Sequence, residues 1–163
     1  MQQLWAPWRM QFIEELRDSG GGCILCELAA ADVGRERLVL SKGKFCYAVM
    51  NRYPYNNGHL MIVPYKHAAS LSELTHDEHA EILELCARSI EVMKSSLNAE
   101  GFNCGFNFGA VAGAGIKDHL HLHVVPRWCG DANFLPIIGD TRSMPEYLEQ
   151  TYDRLAAGFA RGS

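Results

Sequence analysis

The chain has 163 residues, a formal net charge of −4 and 48% hydrophobic residues, which suits one packed domain over residues 1–163. The acidic balance excludes wholesale wrapping of nucleic acid, which needs many Lys and Arg on phosphates, but leaves room for a small anion in a local pocket. No run approaches the roughly 18 apolar residues of a membrane-spanning helix. The N-terminus, MQQLWAPWRM, lacks the apolar stretch of a secretory signal, so a cytoplasmic location with no membrane partner is expected.

Residues 4–17 read as a helical segment with Trp5, Trp8, Phe12 and Leu16 toward one side. Ser19 to Gly22 closes this N-terminal arm, about residues 1–22, and leads into Cys23-Ile24-Leu25-Cys26. Residues 36–40 and 45–51 read as a strand pair around a turn at 41–44. The loop RYPYNNG then delivers a third strand, HLMIVPY, which Pro64 should end. Thr75 and Glu78 make a capping box, after which Ile82, Leu85, Cys86, Ile90 and Met93 recur at helical spacing to about Leu97. Residues 101–109 suggest a fourth strand, 110–116 a Gly/Ala loop and 119–126 a fifth strand. Ser143 with Glu146 is expected to cap a terminal helix over about residues 144–160. The expected class is α+β: an antiparallel five-stranded sheet packed by one long helix and terminal helices.

Six cysteines are present, and without a signal segment disulfides are not expected. Cys46, Cys86 and Cys104 sit among apolar neighbours and read as small buried hydrophobes. Cys23 and Cys26 form a CxxC pair, half of a tetrahedral zinc site. With no second CxxC, the remaining ligands must be histidines: His59, His67, His76, His79 and His119 are candidates. A redox pair is the rival reading, but no thioredoxin-like βαβ pattern surrounds it. His76 and His79, beside Asp77 and Glu78 in the first helical turn, read as solvated surface.

His119-Leu120-His121-Leu122-His123 is the strongest chemical signal. On a strand, alternate side chains share a face, so three imidazoles would line one surface while the leucines enter the core. A neutral imidazole is a competent nucleophile near neutral pH and can attack phosphorus, with its neighbours stabilising phosphoryl oxygens. Gly109 to Gly115, just upstream, is rich enough in small residues to bring backbone amides, such as that of Gly113, close to an anion. A rival reading takes the HxHxH histidines as ligands of a catalytic metal, but no water-activating Glu is visible nearby.

HLHLHVVPRW resembles the signature of the histidine-triad (HIT) family, and NNGHLMIVPYKH is similar to that family's upstream strand. CILC, LWAPWRMQFI, NFGAVAGAG and the PRWCGDANF run resemble the diadenosine tetraphosphate (Ap4A) phosphorylase-like branch, with similarity from about Leu4 to the C-terminal helix. The resemblance implies the HIT fold, usually a homodimer or larger homo-oligomer. It implies a small-molecule nucleotide substrate, such as a dinucleoside polyphosphate, cleaved through a nucleotidyl-histidine. His121 would be the nucleophile within the triad His119, His121 and His123, and His123 and His59 would lie beside the phosphates. Asn51 would meet the ribose, Asn107 and the backbone at Ala114 and Gly115 the phosphates, and Trp128 the nucleotide. Cys23, Cys26, His67 and His119 would hold a structural zinc. The Gln and Ser or Thr that many relatives carry before the triad are Gly115 and Ile116 here, and the ribose position is Asn51 rather than Asp. Phosphoramidase chemistry, or nucleotide binding with little turnover, are the alternatives.

Overall fold

The computed structural model describes residues 22–131 and 144–161. The N-terminal helical segment expected at 4–17, and Ser143, lie outside them. The elements run α1 (Ile24–Ala30), β1 (Val39–Lys42), β2 (Cys46–Met50), β3 (Leu60–Pro64), α2 (His76–Leu97), β4 (Gly101–Phe106), β5 (Leu122–Arg127) and α3 (Leu148–Arg161). The five strands form one sheet in the order β1-β2-β3-β5-β4, every neighbouring pair antiparallel. The expected α+β architecture is the one observed.

Cross-strand partners share a face, and the register therefore divides the sheet in two. Tyr47, Val49, Met61, His123 and Gly105 fall on one face, and Cys46, Ala48, Leu60, Ile62, Leu122 and Val124 on the other. The second face meets α2: the Cys46 thiol points at the Glu78 carbonyl, and Cys86 of α2 lies 3.9 Å from Cys104 of β4. Ile82, Met93, Leu155 and Phe159 of α2 and α3 complete that core. On the first face, α1 buries Leu25, whose carbonyl accepts from the Tyr47 hydroxyl at 2.6 Å. Helix α2 starts at the expected box: the Thr75 side chain accepts from the Glu78 N–H, and the Glu78 carboxylate accepts from the Thr75 N–H. Such a cap contributes about 1 kcal/mol. Asn98, at φ 53°, ends the helix in the left-handed conformation.

Several boundaries differ from expectation, each for a tertiary reason. β1 begins at Val39 rather than residue 36, because residues 35–38 form a turn with Leu38 at φ 61°. The following turn is held from outside: the Glu81 carboxylate of α2 accepts from the Lys44 and Phe45 N–H groups at 2.6 and 2.7 Å. β4 stops at Phe106, not residue 109, and Gly109, at φ 78°, turns the chain away. β5 consequently starts at Leu122, and only His123 of the triad lies within a strand. The preceding segment is held elsewhere, Leu120 N–H donating to the Ala68 carbonyl at 2.7 Å. The C-terminal helix begins at Leu148, not near 144; the Glu146 carboxylate accepts from the Thr151 hydroxyl and the Arg154 guanidinium. Cys46 and Cys86 are buried as expected, but Cys104 is exposed because β4 is an edge strand. His76 is exposed as expected, whereas His79 is half-buried and donates to the Leu71 carbonyl at 2.8 Å.

Candidate active site and metal centre

Two clusters meet at the segment before β5. In the first, the side chains of Cys23, Cys26, His67 and His119 bring one ligand atom each within 4.8 Å of one another. Cys23 sits at the N-cap of α1 and Cys26 one turn later, so helix geometry sets the two sulfurs side by side. The Cys23 Sγ to His119 Nδ1 and Cys26 Sγ to His67 Nδ1 distances are each 3.3 Å, and Cys26 Sγ to His119 Nδ1 is 3.4 Å. Zinc bonds of roughly 2.3 Å to sulfur and 2.0 Å to nitrogen place adjacent tetrahedral ligands about 3.5 Å apart. The donor set and its spacing therefore fit zinc. His119 Nε2–H donates to the Pro64 carbonyl at 2.9 Å, which leaves the Nδ1 lone pair facing the thiols. Burial, then the neighbouring Cys23 sulfur, push the Cys26 thiol above its ordinary value, a cost that cation binding would remove. A redox role has less support, because two imidazole nitrogens converge on the same sulfurs.

The second cluster holds His59, His121 and His123. His121 Nδ1–H donates to the His119 carbonyl at 2.8 Å, which leaves Nε2 with the lone pair. The His121 ring meets the His123 ring edge-on, centroids 4.8 Å apart. The proton positions of the others follow from a backbone donor, since an amide N–H can only donate. Tyr55 N–H donates to His59 Nδ1 at 3.1 Å, so His59 carries its proton on Nε2. That Nε2–H donates to His123 Nδ1 at 2.9 Å, which places the His123 proton on Nε2. The chain ends at the Asn107 carboxamide, 3.3 Å from His123 Nε2; only its oxygen can accept from that Nε2–H, so the relay requires the amide to present Oδ1 there rather than Nδ2. The four histidines of the sequence reading are thus adjacent, but His119 belongs to the metal cluster. Among the described residues, the Cys23, Cys26, His67 and His119 group is the one with metal-ligand geometry, so the catalytic-metal reading of HxHxH has no ligand set behind it.

Burial drives His59 down to about 3, helped by the nearby His123 and His121 rings. His119 and His121 are also lowered by burial, against the opposing effect of the carbonyls to which they donate. His59, His119 and His121 are therefore biased toward the neutral form.

The other expected residues are distributed unevenly. Asn51 is at the cluster: its Nδ2 lies 3.4 Å from His59 Nδ1, and its Oδ1 accepts from Tyr53 N–H at 2.9 Å. The Gly/Ala loop departs from an open amide nest, because Ala112, Gly113 and Ala114 N–H groups already donate to the Gly109 and Ala110 carbonyls. Gly115 is exposed beyond that turn. Trp128 continues the parity of Leu122 and Val124, so it stands on the helical side of the sheet, away from His123. Its indole N–H donates to the Leu97 carbonyl at 3.2 Å, and it borders a cleft of about 570 Å³ with Asn57, Asp131, Glu146 and Arg154. The sequence reading did not single out Tyr55. Its ring stacks on His59 at 4.6 Å and tilts against His123 at 5.5 Å; its place four residues before His59, in an Asn/Gly turn, was the available signal.

The neutral His59 links stability to pH. Between pH 6.5 and 4.5 the unfolded state binds a proton that folded His59 refuses, so folding stability falls as pH falls, by about 1.4 kcal/mol per unit for this group. Denaturant melts over that window should show His59→Gln with a shallower loss than wild type; parallel curves would contradict the assignment.

A model of the HIT domain matches residues 35–129. A protein of Mycobacterium tuberculosis named AP-4-A phosphorylase is 42% identical over 168 aligned positions, covering 99% of this chain and 86% of that one. An adenosine 5'-monophosphoramidase of Schizosaccharomyces pombe is 28% identical, covering 64% of this chain and 74% of that one. A zinc-bound histidine triad family protein from Mycobacterium smegmatis superposes with a TM-score of 0.69 at 24% identity, covering 86% of this chain and 94% of that one. The backbone topology, the imidazole cluster and the matched segment together place this chain in the HIT family.

Proposed function

We propose that this chain is a nucleotide phosphorylase that cleaves dinucleoside polyphosphates of the Ap4A type through a nucleotidyl-histidine on His121. The observation that carries the reading is the His121 Nδ1–H bond to its own chain at the His119 carbonyl, which reserves Nε2 for attack. Nε2 attacks the α-phosphorus in line, forming a P–N bond as the P–O bond to the remaining nucleotide breaks. The leaving group departs as a phosphate anion and needs little protonation. The imidazole becomes cationic, and the same Nδ1–H···O=C bond then strengthens by charge assistance. His123 Nε2–H, delivered through His59, donates to a phosphoryl oxygen where charge develops. Asn107 and the Gly115 backbone complete the phosphate contacts, and Asn51 meets the ribose. Inorganic phosphate then attacks the same phosphorus and restores neutral His121. The 42% identity over nearly the whole chain to an AP-4-A phosphorylase supports phosphate as acceptor.

Zinc held by Cys23, Cys26, His67 and His119 would have four protein ligands and no open position, so its contribution is structural. It would tie α1 and the segment after β3 to the residue two before His121. The exposed β4 edge, with Asn103, Cys104 and Gly105 open to solvent, supports a homodimer built by strand pairing. The cytoplasm, where thiols stay reduced, suits such a cysteine-bearing site.

Incubation with Ap4A and phosphate should yield ADP and ATP, with no ADP when phosphate is withheld. His121→Ala should keep the fold and lose turnover by about a thousand-fold or more. AMP as the product regardless of phosphate would make the chain a hydrolase; inertness to Ap4A with cleavage of an AMP–amine would favour the phosphoramidase. In a separate measurement, a chelator with a colorimetric zinc indicator should release a single zinc per chain and lower Tm by several degrees, as should Cys26→Ser. Metal-free protein of unchanged Tm would contradict the zinc assignment.

A further inference from the structure

The relay of imidazole protons begins at a loop amide, Tyr55 N–H, and its direction depends on where that loop is held. The next residue, Asn56, is anchored from two sides. Its main-chain carbonyl accepts from His59 N–H at 3.1 Å. Its side-chain Nδ2 donates to Asp131 Oδ2 at 2.8 Å and to the Pro126 carbonyl at 3.1 Å. We propose that Asp131 is a positioning residue for the His59–His123 relay, acting through Asn56 to aim Tyr55 N–H at His59 Nδ1.

Asp131 is placed for that work rather than for a surface ion pair. Its carboxylate collects donors from two chain segments: Arg127 Nε and Nη2 at 2.7 Å each and Trp128 N–H at 3.2 Å from one, and Asn56 Nδ2 at 2.8 Å from the other. The Asp131 side chain is 11% exposed against 45% for Arg127, so the acid lies under its partner. An exposed pair of this kind contributes at most about 1 kcal/mol, and the shielded bond to Asn56 is where the function lies. The Arg127 hydrogen bonds, with Trp128 N–H and Asn56, hold the carboxyl down to about 2, so it stays an ionised acceptor throughout the neutral range. Arg127 also donates to Asn103 Oδ1 on β4 at 3.0 Å, which braces Asp131 against the sheet edge. Without this anchor Asn56 Nδ2 keeps only the Pro126 carbonyl, and the less constrained loop lets the Tyr55 amide move off His59. His59 Nδ1 is then left with only the longer contact to Asn51 Nδ2 at 3.4 Å, its hold on the Nε2–H form weakens, and His123 loses a fixed donor.

This inference rests on the proposed function for its activity readout alone; its spectroscopic readout needs no substrate. Protein labelled with nitrogen-15 at histidine reports, in two-bond proton–nitrogen spectra, which ring nitrogen carries the proton. His59 of the wild type should read as the Nε2–H form. In Asp131→Leu the His59 signals should average between tautomers, and kcat for Ap4A with phosphate should fall about ten-fold while KM moves little. Asp131→Asn should restore both, because its carboxamide oxygen still accepts from Asn56. If Asp131→Leu does not fold, Asn56→Ala cuts the same link with the Arg127–Asp131 pair intact, and is read in the same way. An unchanged His59 tautomer in folded Asp131→Leu or Asn56→Ala overturns the proposal, whatever the activity. Wild-type protein inert to Ap4A overturns the proposed function instead, and the spectra still decide this link.

Discussion

Main-chain carbonyls decide where the protons sit on two consecutive triad histidines, and the rest of the site follows from that. Pro64 takes the Nε2–H of His119, and His119 in turn takes the Nδ1–H of His121. The two rings are thereby forced into opposite tautomers although they are two residues apart on one segment. His119 turns its bare Nδ1 to two thiols, and His121 keeps its bare Nε2 for a substrate. A buried imidazole held neutral cannot change roles by taking up a proton, so burial, which lowers both groups, makes the division permanent at neutral pH.

This arrangement explains why a metal centre and a reacting centre adjoin without sharing an ion. His119 is the common joint: its ring completes the Cys23, Cys26 and His67 cluster, and its carbonyl orients His121. A displacement of α1 or of the turn after β3 would move that carbonyl, and with it the direction of the His121 ring. The fold resists such movement because Leu25 and Tyr47 lock α1 to the sheet and Leu120 N–H is tied to Ala68. On the far side, β5 holds His123 in the sheet, and the β2–β3 loop orders His59 through the Tyr55 amide.

Much of this was legible in the residues, and the losses have identifiable causes. Local signals transferred well: the Thr75 and Glu78 box starts α2, Pro64 ends β3, and the leucines between the triad histidines enter the core. The Cys23–Cys26 spacing pointed to half a zinc site, and the structure brings His67 and His119 to it. Features fixed by distant partners were not legible. The start of β5 depends on where β4 turns away at Gly109, and the β1–β2 turn depends on a carboxylate 36 residues downstream. Asp131 gave no sign of its reach to Asn56, 75 residues away, because no periodicity encodes a side chain crossing between loops. The placement of Trp128 was hidden for a related reason: strand parity, invisible without a register, puts it on the helical face.

The account stands or falls on the atom that bonds to phosphorus. Protein mixed with Ap4A in phosphate-free buffer, quenched in alkali within the first turnover and digested for mass spectrometry, should carry a nucleotidyl group on the peptide spanning residues 119–123, with fragmentation placing it on His121. Turnover with that peptide unmodified, or an adduct on His123 or His59, would contradict the account.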